Sequence, residues 1–218
     1  MLIESRAAPP FMKNGFVLAD EATREGVLID PGDEVEELLA VIAEQRLTIR
    51  YILLTHAHLD HITGVGRARE ALGVPVVLHE ADRPLYDAIV QQGIAFGFRL
   101  QPQPAPDRYY APGDVFRFGR YEVRAHHTPG HSPGGVCLEV TEPGLPQRTL
   151  VVGDTLFAGS IGRTDLPGGH HPTLIKSIRD VLFPFGDDAI VHPGHGPDTT
   201  IGRERRTNPF VLEYLQGR

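Results

Sequence analysis

Cysteine occurs once in the 218 residues, as Cys137, so no internal disulfide framework can form. A lone thiol fits a reducing, cytoplasmic setting, and its neighbours Val136 and Leu138 make Cys137 read as a small core residue. Long hydrophobic runs are also missing, and none approaches the length needed to cross a membrane. Met1-Leu2-Ile3-Glu4-Ser5-Arg6 has no basic region followed by an apolar stretch, so no signal peptide is expected. Positive charge is scarce: 21 basic residues face 28 acidic ones, giving a net charge of −7. That balance argues against broad nucleic-acid binding and leaves a small molecule as the expected partner. Only Lys13 and Lys176 are lysine; the remaining basic residues are arginine.

What the chain does have is Thr55-His56-Ala57-His58-Leu59-Asp60-His61. It follows Arg50-Tyr51-Ile52-Leu53-Leu54, a short apolar run that reads as a buried strand. Metal-binding side chains at a strand end are held accurately by a rigid element. His56 and His58 alternate, so in extended chain both imidazoles leave on one side, whereas Asp60 and His61 must diverge. That spacing suits two metals side by side, with His56 and His58 on one and Asp60 and His61 on the other. A turn that merely needed solvation would not require three histidines and an aspartate.

The same design recurs along the chain. Phe16–Ala19 and Gly26–Ile29 read as a strand pair, ending in the turn Asp30-Pro31-Gly32. Asp30 could orient a metal ligand, but a plain turn aspartate is the commoner reading. Val35, Leu38, Leu39 and Ile42 recur at helical spacing. Further helices are expected over Arg67–Leu72, Asp82–Val90 and Leu174–Leu182, and strands over Pro75–Leu78, Tyr121–Ala125 and Val136–Val140. Residues 91–112 read as a long loop beside a site, with Phe96, Phe98, Tyr109 and Tyr110 available to line it. Proline and glycine close a tight loop around His131. Leu150-Val151-Val152-Gly153-Asp154 is another apolar strand ending in a ligand-type residue, and Ala189-Ile190-Val191 leads to His192-Pro193-Gly194-His195. Strands alternating with helices in two successive batches suggest an α/β sandwich.

This constellation resembles the metallo-β-lactamase fold family, whose His-x-His-x-Asp-His signature stands here as His56, His58, Asp60 and His61. The family's other ligand positions match His131, Asp154 and His195, so the likeness runs over nearly the whole chain. It implies a single αββα domain over residues 1–218, two mixed sheets flanked by helices. It also implies one metal on His56, His58 and His131, a second on Asp60, His61 and His195, and Asp154 bridging them. An aspartate rather than a cysteine at 154 points away from the lactam-hydrolysing branch and toward short glyoxalase II-like hydrolases. Gly162-Arg163-Thr164-Asp165, Gly194-His195-Gly196-Pro197 and Glu204-Arg205-Arg206-Thr207-Asn208-Pro209 resemble the same branch. Longer glyoxalase II enzymes carry a C-terminal helical domain for glutathione; the chain ends soon after Pro209, so no such domain is expected.

Imidazole and carboxylate donors suit zinc first, with iron and manganese also acceptable. A metal-bridging hydroxide attacking a thioester carbonyl is the expected chemistry, since a thiolate leaves without a proton donor. Asp60 is the expected catalytic carboxylate, holding the hydroxide proton on one oxygen. Arg163 is assigned either to the substrate or, more readily, to a structural pair with Asp165. His79, His126, His127, His170, His171 and His192 are left out of the ligand set, with His127 a support for the His131 loop. Two competing readings are a persulfide dioxygenase-like enzyme with one iron on His56, His131 and Asp154, and a metal-binding protein without turnover. The sequence leaves a homo-oligomer open.

Overall fold

In the computed structural model, which describes residues 1–215, two six-stranded mixed sheets stack face to face with helices on both outer faces. The first sheet takes β1 (Leu2–Ala8), β2 (Lys13–Ala19), β3 (Glu25–Ile29), β4 (Thr48–Leu53), β5 (Val76–Leu78) and β6 (Arg108–Tyr109) in spatial order. Its first three strands are antiparallel, and β3 through β6 run parallel. The parallel pairings need crossovers, supplied by α1 (Val35–Glu44), α2 (Leu59–Ile62), α3 (Val65–Leu72), α4 (Arg83–Asp87) and α5 (Ile89–Ala95).

The second sheet starts with β7 (Phe116–Phe118), β8 (Tyr121–His127), β9 (Val136–Thr141) and β10 (Arg148–Gly153). After a hairpin of β11 (Leu156–Phe157) and β12 (Ser160–Ile161) comes α6 (His171–Ser177), whose helical path continues in a wider turn through Leu182. β13 (Ile190–Pro193) then inserts parallel beside β10, and β14 (Thr199–Thr200) closes that edge. Two helices, α7 (Ile201–Thr207) and α8 (Pro209–Leu215), finish the described chain.

The period-2 alternation of the strands builds three apolar layers. Phe16, Leu18, Val27, Ile29, Leu53 and Val77 face inward against Phe118, Val123, Leu138, Val140 and Val151 of the second sheet. Their neighbours Val17, Leu28, Ile52 and Val76 face outward under Leu38, Ile42 and Ala68 of the helices. On the far side, Cys137, Leu150, Val152 and Val191 meet Leu174, Ile175 and Ile201. Strands covered on both faces read as continuous apolar runs, which is why most were visible in the sequence. Each buried aliphatic side chain stabilises this packing by about 1.5–3 kcal/mol.

Three expectations need correction. The predicted loop over 91–112 is partly ordered: α5 runs on to Ala95, and Arg108–Tyr109 forms the edge strand β6. Gly93 hid the helix; it stands where a Cβ would come within 2.8 Å of Leu100, so α5 packs closely on the returning chain. Of the four aromatics assigned to that loop, Tyr110 belongs to the core, its hydroxyl donating to the Leu54 carbonyl at 3.2 Å. The predicted helix over Asp82–Val90 is broken at Ala88 into α4 and α5. Finally β1, α7 and α8 were not foreseen, although Thr200 caps α7 by accepting from the Arg203 N–H at 3.2 Å. No described helix is long and apolar enough to cross a membrane.

Candidate metal centre

The ends of β4, β9, β10 and β13 converge at one edge of the two-sheet core. The main chain ties them there: the Val136 N–H donates to Thr55 O at 2.8 Å, and the Gly194 N–H to Gly153 O at 2.9 Å. All seven residues singled out as ligands meet at this point. Ligand atoms of His56, His58 and His131 form one group, and those of Asp60, His61 and His195 another; a third group links His56, His61 and Asp154. His131 Nε2 lies 2.7 Å from His58 Nδ1 and 3.1 Å from His56 Nε2. His195 Nε2 lies 3.2 Å from Asp60 Oδ2. Asp154 spans both groups: its Oδ1 is 3.3 Å from His61 Nε2, and its Oδ2 is 3.6 Å from His131 Nε2 and 3.5 Å from His195 Nε2.

The donor set fits divalent metal. His61 Nε2 and Asp154 Oδ1 are buried without a hydrogen-bond partner despite their proximity. Stranding such atoms costs about 1–3 kcal/mol each, which a shared cation would offset.

Supporting contacts set the ring tautomers. Asp30 is buried and accepts from the Thr55 N–H at 2.7 Å, the Thr55 hydroxyl at 2.6 Å and His61 Nδ1 at 2.9 Å. Because the Thr55 hydroxyl donates to Asp30, its oxygen accepts from His56 Nδ1, 3.1 Å away. His131 Nδ1 donates to the Arg163 carbonyl at 2.8 Å. In each neutral ring the Nε2 lone pair is thereby left for metal. Asp30 is therefore more than a turn residue, and its positive φ of 48° is one that aspartate tolerates. Gly32 completes that turn, since a Cβ there would lie 2.0 Å from the Asp60 carbonyl oxygen.

Two further supports had no readable signal. Asp82, fully buried, accepts from the Ala57 N–H and the Ser132 hydroxyl, each at 2.9 Å, and from the Gly134 N–H. It thus fastens the His56–His61 turn to the His131 loop. Gln92 donates to the Ala57 and Leu85 carbonyls and accepts from the Leu59 N–H.

The histidines left out of the ligand set lie outside these groups. His127 Nε2 donates to the Pro133 carbonyl at 2.9 Å, supporting the His131 loop by its backbone. His126 pairs with Glu139, and His79 accepts the Ala81 N–H ahead of α4. The Arg163 guanidinium pairs with Asp165 through two contacts of 2.7 Å at the cleft rim.

Electrostatics separate the two groups. Burial and the surrounding imidazoles hold His56 well below its usual pKa, and burial with His131 holds His58 at about 3. Burial alone would lower His61 too, but Asp60, Asp154 and Asp30 raise it to about 10. Burial opposes the charge on Asp60 and Asp154, yet His61 and His195 keep both carboxyls below the usual carboxylate range. Metal entering the Asp60–His61–His195 group therefore competes with a proton favoured on His61, whereas burial favours the neutral forms of His56 and His58.

The family model of the Metallo-beta-lactamase superfamily matches residues 8–200. The chain belongs to the metallo-beta-lactamase superfamily. A hydroxyacylglutathione hydrolase, GloC, of Haemophilus influenzae is 37% identical over 97% of this chain and 98% of its own length. Among solved structures, the B3 metallo-beta-lactamase BLEG-1 is 36% identical with a TM-score of 0.87, covering 96% of this chain and 99% of that one. TTHA1623, solved in a di-iron-bound form, is 41% identical with a TM-score of 0.81, over 95% and 99% of the two chains. The superfamily is dinuclear and metal-dependent, and its hydrolases include relatives of this size.

Gly194 is a position where the metallo-beta-lactamase site leaves no room for a side chain beside the Asp154 carboxylate. A Cβ there would lie 2.2 Å from Asp154 Oδ1 and 2.8 Å from His61 Cε1. Gly194→Ala is expected to push the Asp154 carboxylate aside and lower bound metal from two equivalents to one or none. Metal analysis of dialysed protein checks this, and two retained equivalents would contradict the placement of Asp154.

Proposed function

We propose that this chain is a dinuclear metallohydrolase that cleaves a thioester, in the manner of the glyoxalase II-like branch. The observation that carries this reading is the Asp154 carboxylate between two ligand groups on the floor of a cleft of about 320 Å³. His56, His58 and His131 would hold one ion, Asp60, His61 and His195 the other, and Asp154 both. Zinc is the proposed metal; iron and manganese suit the same donors. Ions at such a pair supply a water of lowered pKa and polarise a carbonyl oxygen.

The chain's own groups do the rest. Asp60 has one oxygen turned to His195, and its second oxygen would hold the proton of the attacking water. Neighbouring imidazoles favour the ionised forms of Asp60 and Asp154, and as metal ligands both would be carboxylates, so neither is placed to donate a proton. The imidazoles at the floor are committed to the ligand groups. A leaving group that requires protonation is poorly served here, and a thiolate, with a reference pKa of about 8.5, is well served. The GloC relative supports the same substrate class.

Metal content by mass spectrometry, measured beside a thioester hydrolysis assay, tests the proposal. Two equivalents of metal with thioester turnover are expected. One equivalent of iron, with oxygen uptake on a persulfide and no thioester turnover, would replace it with a dioxygenase. Metal without either activity would leave a binding protein.

A further inference from the structure

Beside the metal cleft lies a second cleft of about 260 Å³, lined by His58 and walled by Leu85, Ala88, Ala95, Phe96, Leu166 and Pro167. The two share the lining residues His58, Gln92, Phe96 and Leu166, so they are adjacent. Among the described residues, Gln91 and Gln92 are the only lining residues with polar side chains besides His58. The Gln92 amide is already spent on Ala57, Leu85 and Leu59. Polar atoms entering this side cleft would lose water and gain few partners, whereas methylenes would gain.

Charge points the same way. Outside the ligand groups, Arg163 is the only cationic side chain among the described residues lining either cleft, and Asp165 engages it with both oxygens. A carrier bearing several carboxylates finds no second counter-ion among the described lining residues. The metal-cleft walls at Phe11, Leu59, Phe157 and Ile161 are likewise apolar.

We infer that the side cleft seats an uncharged, apolar acyl chain, so that the substrate is a thioester of a short aliphatic acid rather than of a hydroxy acid on glutathione. This rests on the thioesterase reading above and names its acyl specificity. The acyl portion is assigned here because an aliphatic acyl chain presents only methylenes and a methyl beyond the carbonyl, which suits this lining. Ala88 and Phe96 become specificity-determining residues.

The test uses the metal-loaded full chain and S-acyl esters of N-acetylcysteamine, an uncharged thiol, from acetyl to hexanoyl, beside S-lactoylglutathione. Full burial would raise kcat/KM ~4-fold per methylene; at least a roughly tenfold rise from acetyl to hexanoyl is expected. Ala88→Leu, which fills the side cleft, should collapse the hexanoyl-to-acetyl ratio. The sequence contains no tryptophan, so Phe96→Trp supplies a single reporter at the cleft. Its emission should shift to the blue on titration with hexanoate, and the shift should vanish when Ala88→Leu is added. A flat series with S-lactoylglutathione as best substrate would overturn the inference while sustaining the thioesterase reading. A hexanoate-dependent shift without turnover of any thioester would overturn the thioesterase reading and support an apolar-ligand cleft. Neither shift nor turnover would overturn both.

Discussion

Asp60→Ala is expected to lower kcat at least ~10²-fold and to weaken metal at the Asp60–His61–His195 group. Positioned proton acceptors typically contribute about 10²–10⁴-fold, and Asp60 is also one of only three side chains in that group. Its Oδ2 stands 3.2 Å from His195 Nε2 and 3.8 Å from His61 Nε2, so truncation removes the negative charge facing both imidazoles. Asp60→Asn separates the two roles. An amide oxygen can still coordinate but cannot take a proton, so the Asp60→Asn protein should regain metal without regaining rate. Metal stoichiometry and single-turnover rates on the same samples check this. Full activity in either variant at full occupancy would remove Asp60 from the mechanism.

Asp30→Ala should have the second largest effect, although Asp30 touches no metal position. One carboxylate fixes His61 directly and His56 through the Thr55 hydroxyl, and these rings serve different groups. Loss of such a support typically costs 10–100-fold in metal affinity. Here roughly that loss is expected at both groups together. Stability should fall as well, by about 1–3 kcal/mol for each buried partner left unpaired; the Thr55 N–H and His61 Nδ1 are the candidates. Competition against a chromophoric chelator gives the two affinities, and urea unfolding of the metal-free protein gives the stability. If only the Asp60–His61–His195 group weakens, the Thr55 relay to His56 carries no energy.

These two residues also mark what the sequence could and could not reveal. Asp60 was legible because its whole motif sits within seven consecutive residues at a strand end. His131, Asp154 and His195 were legible for a related reason: each ends an apolar run or centres a Pro-Gly loop, and the buried strands made those runs unmistakable. Asp30 was half legible, since a turn aspartate and a ring-orienting aspartate look alike until Thr55 and His61 are placed around it. Asp82 and Gln92 were not legible. Apart from the Gln92–Leu85 contact, their bonds reach 25 to 52 residues along the chain, and nothing local distinguishes them from other helix residues. The edge strand β1 escaped because its half-exposed side chains lack the apolar run of a doubly covered strand. Of the cleft walls, Phe96 was legible as an aromatic beside the site, whereas the α5 residues before it escaped because Gly93 interrupts the helical periodicity.

The strands also divide the two ligand groups by their positions along the chain. His56, His58 and His131 all precede β9, but the other group includes His195, which follows β13. That last ligand is held by the opposite half of the molecule: Asn14 donates its amide to the Pro193 and Gly196 carbonyls, and its N–H to Gly194 O at 2.7 Å. The first, three-histidine group therefore draws only on residues 56–131. The second becomes complete only when β2, made near the start, grips the segment made near the end. Closure of the long chain loop and completion of the second ligand group thus depend on the same contacts.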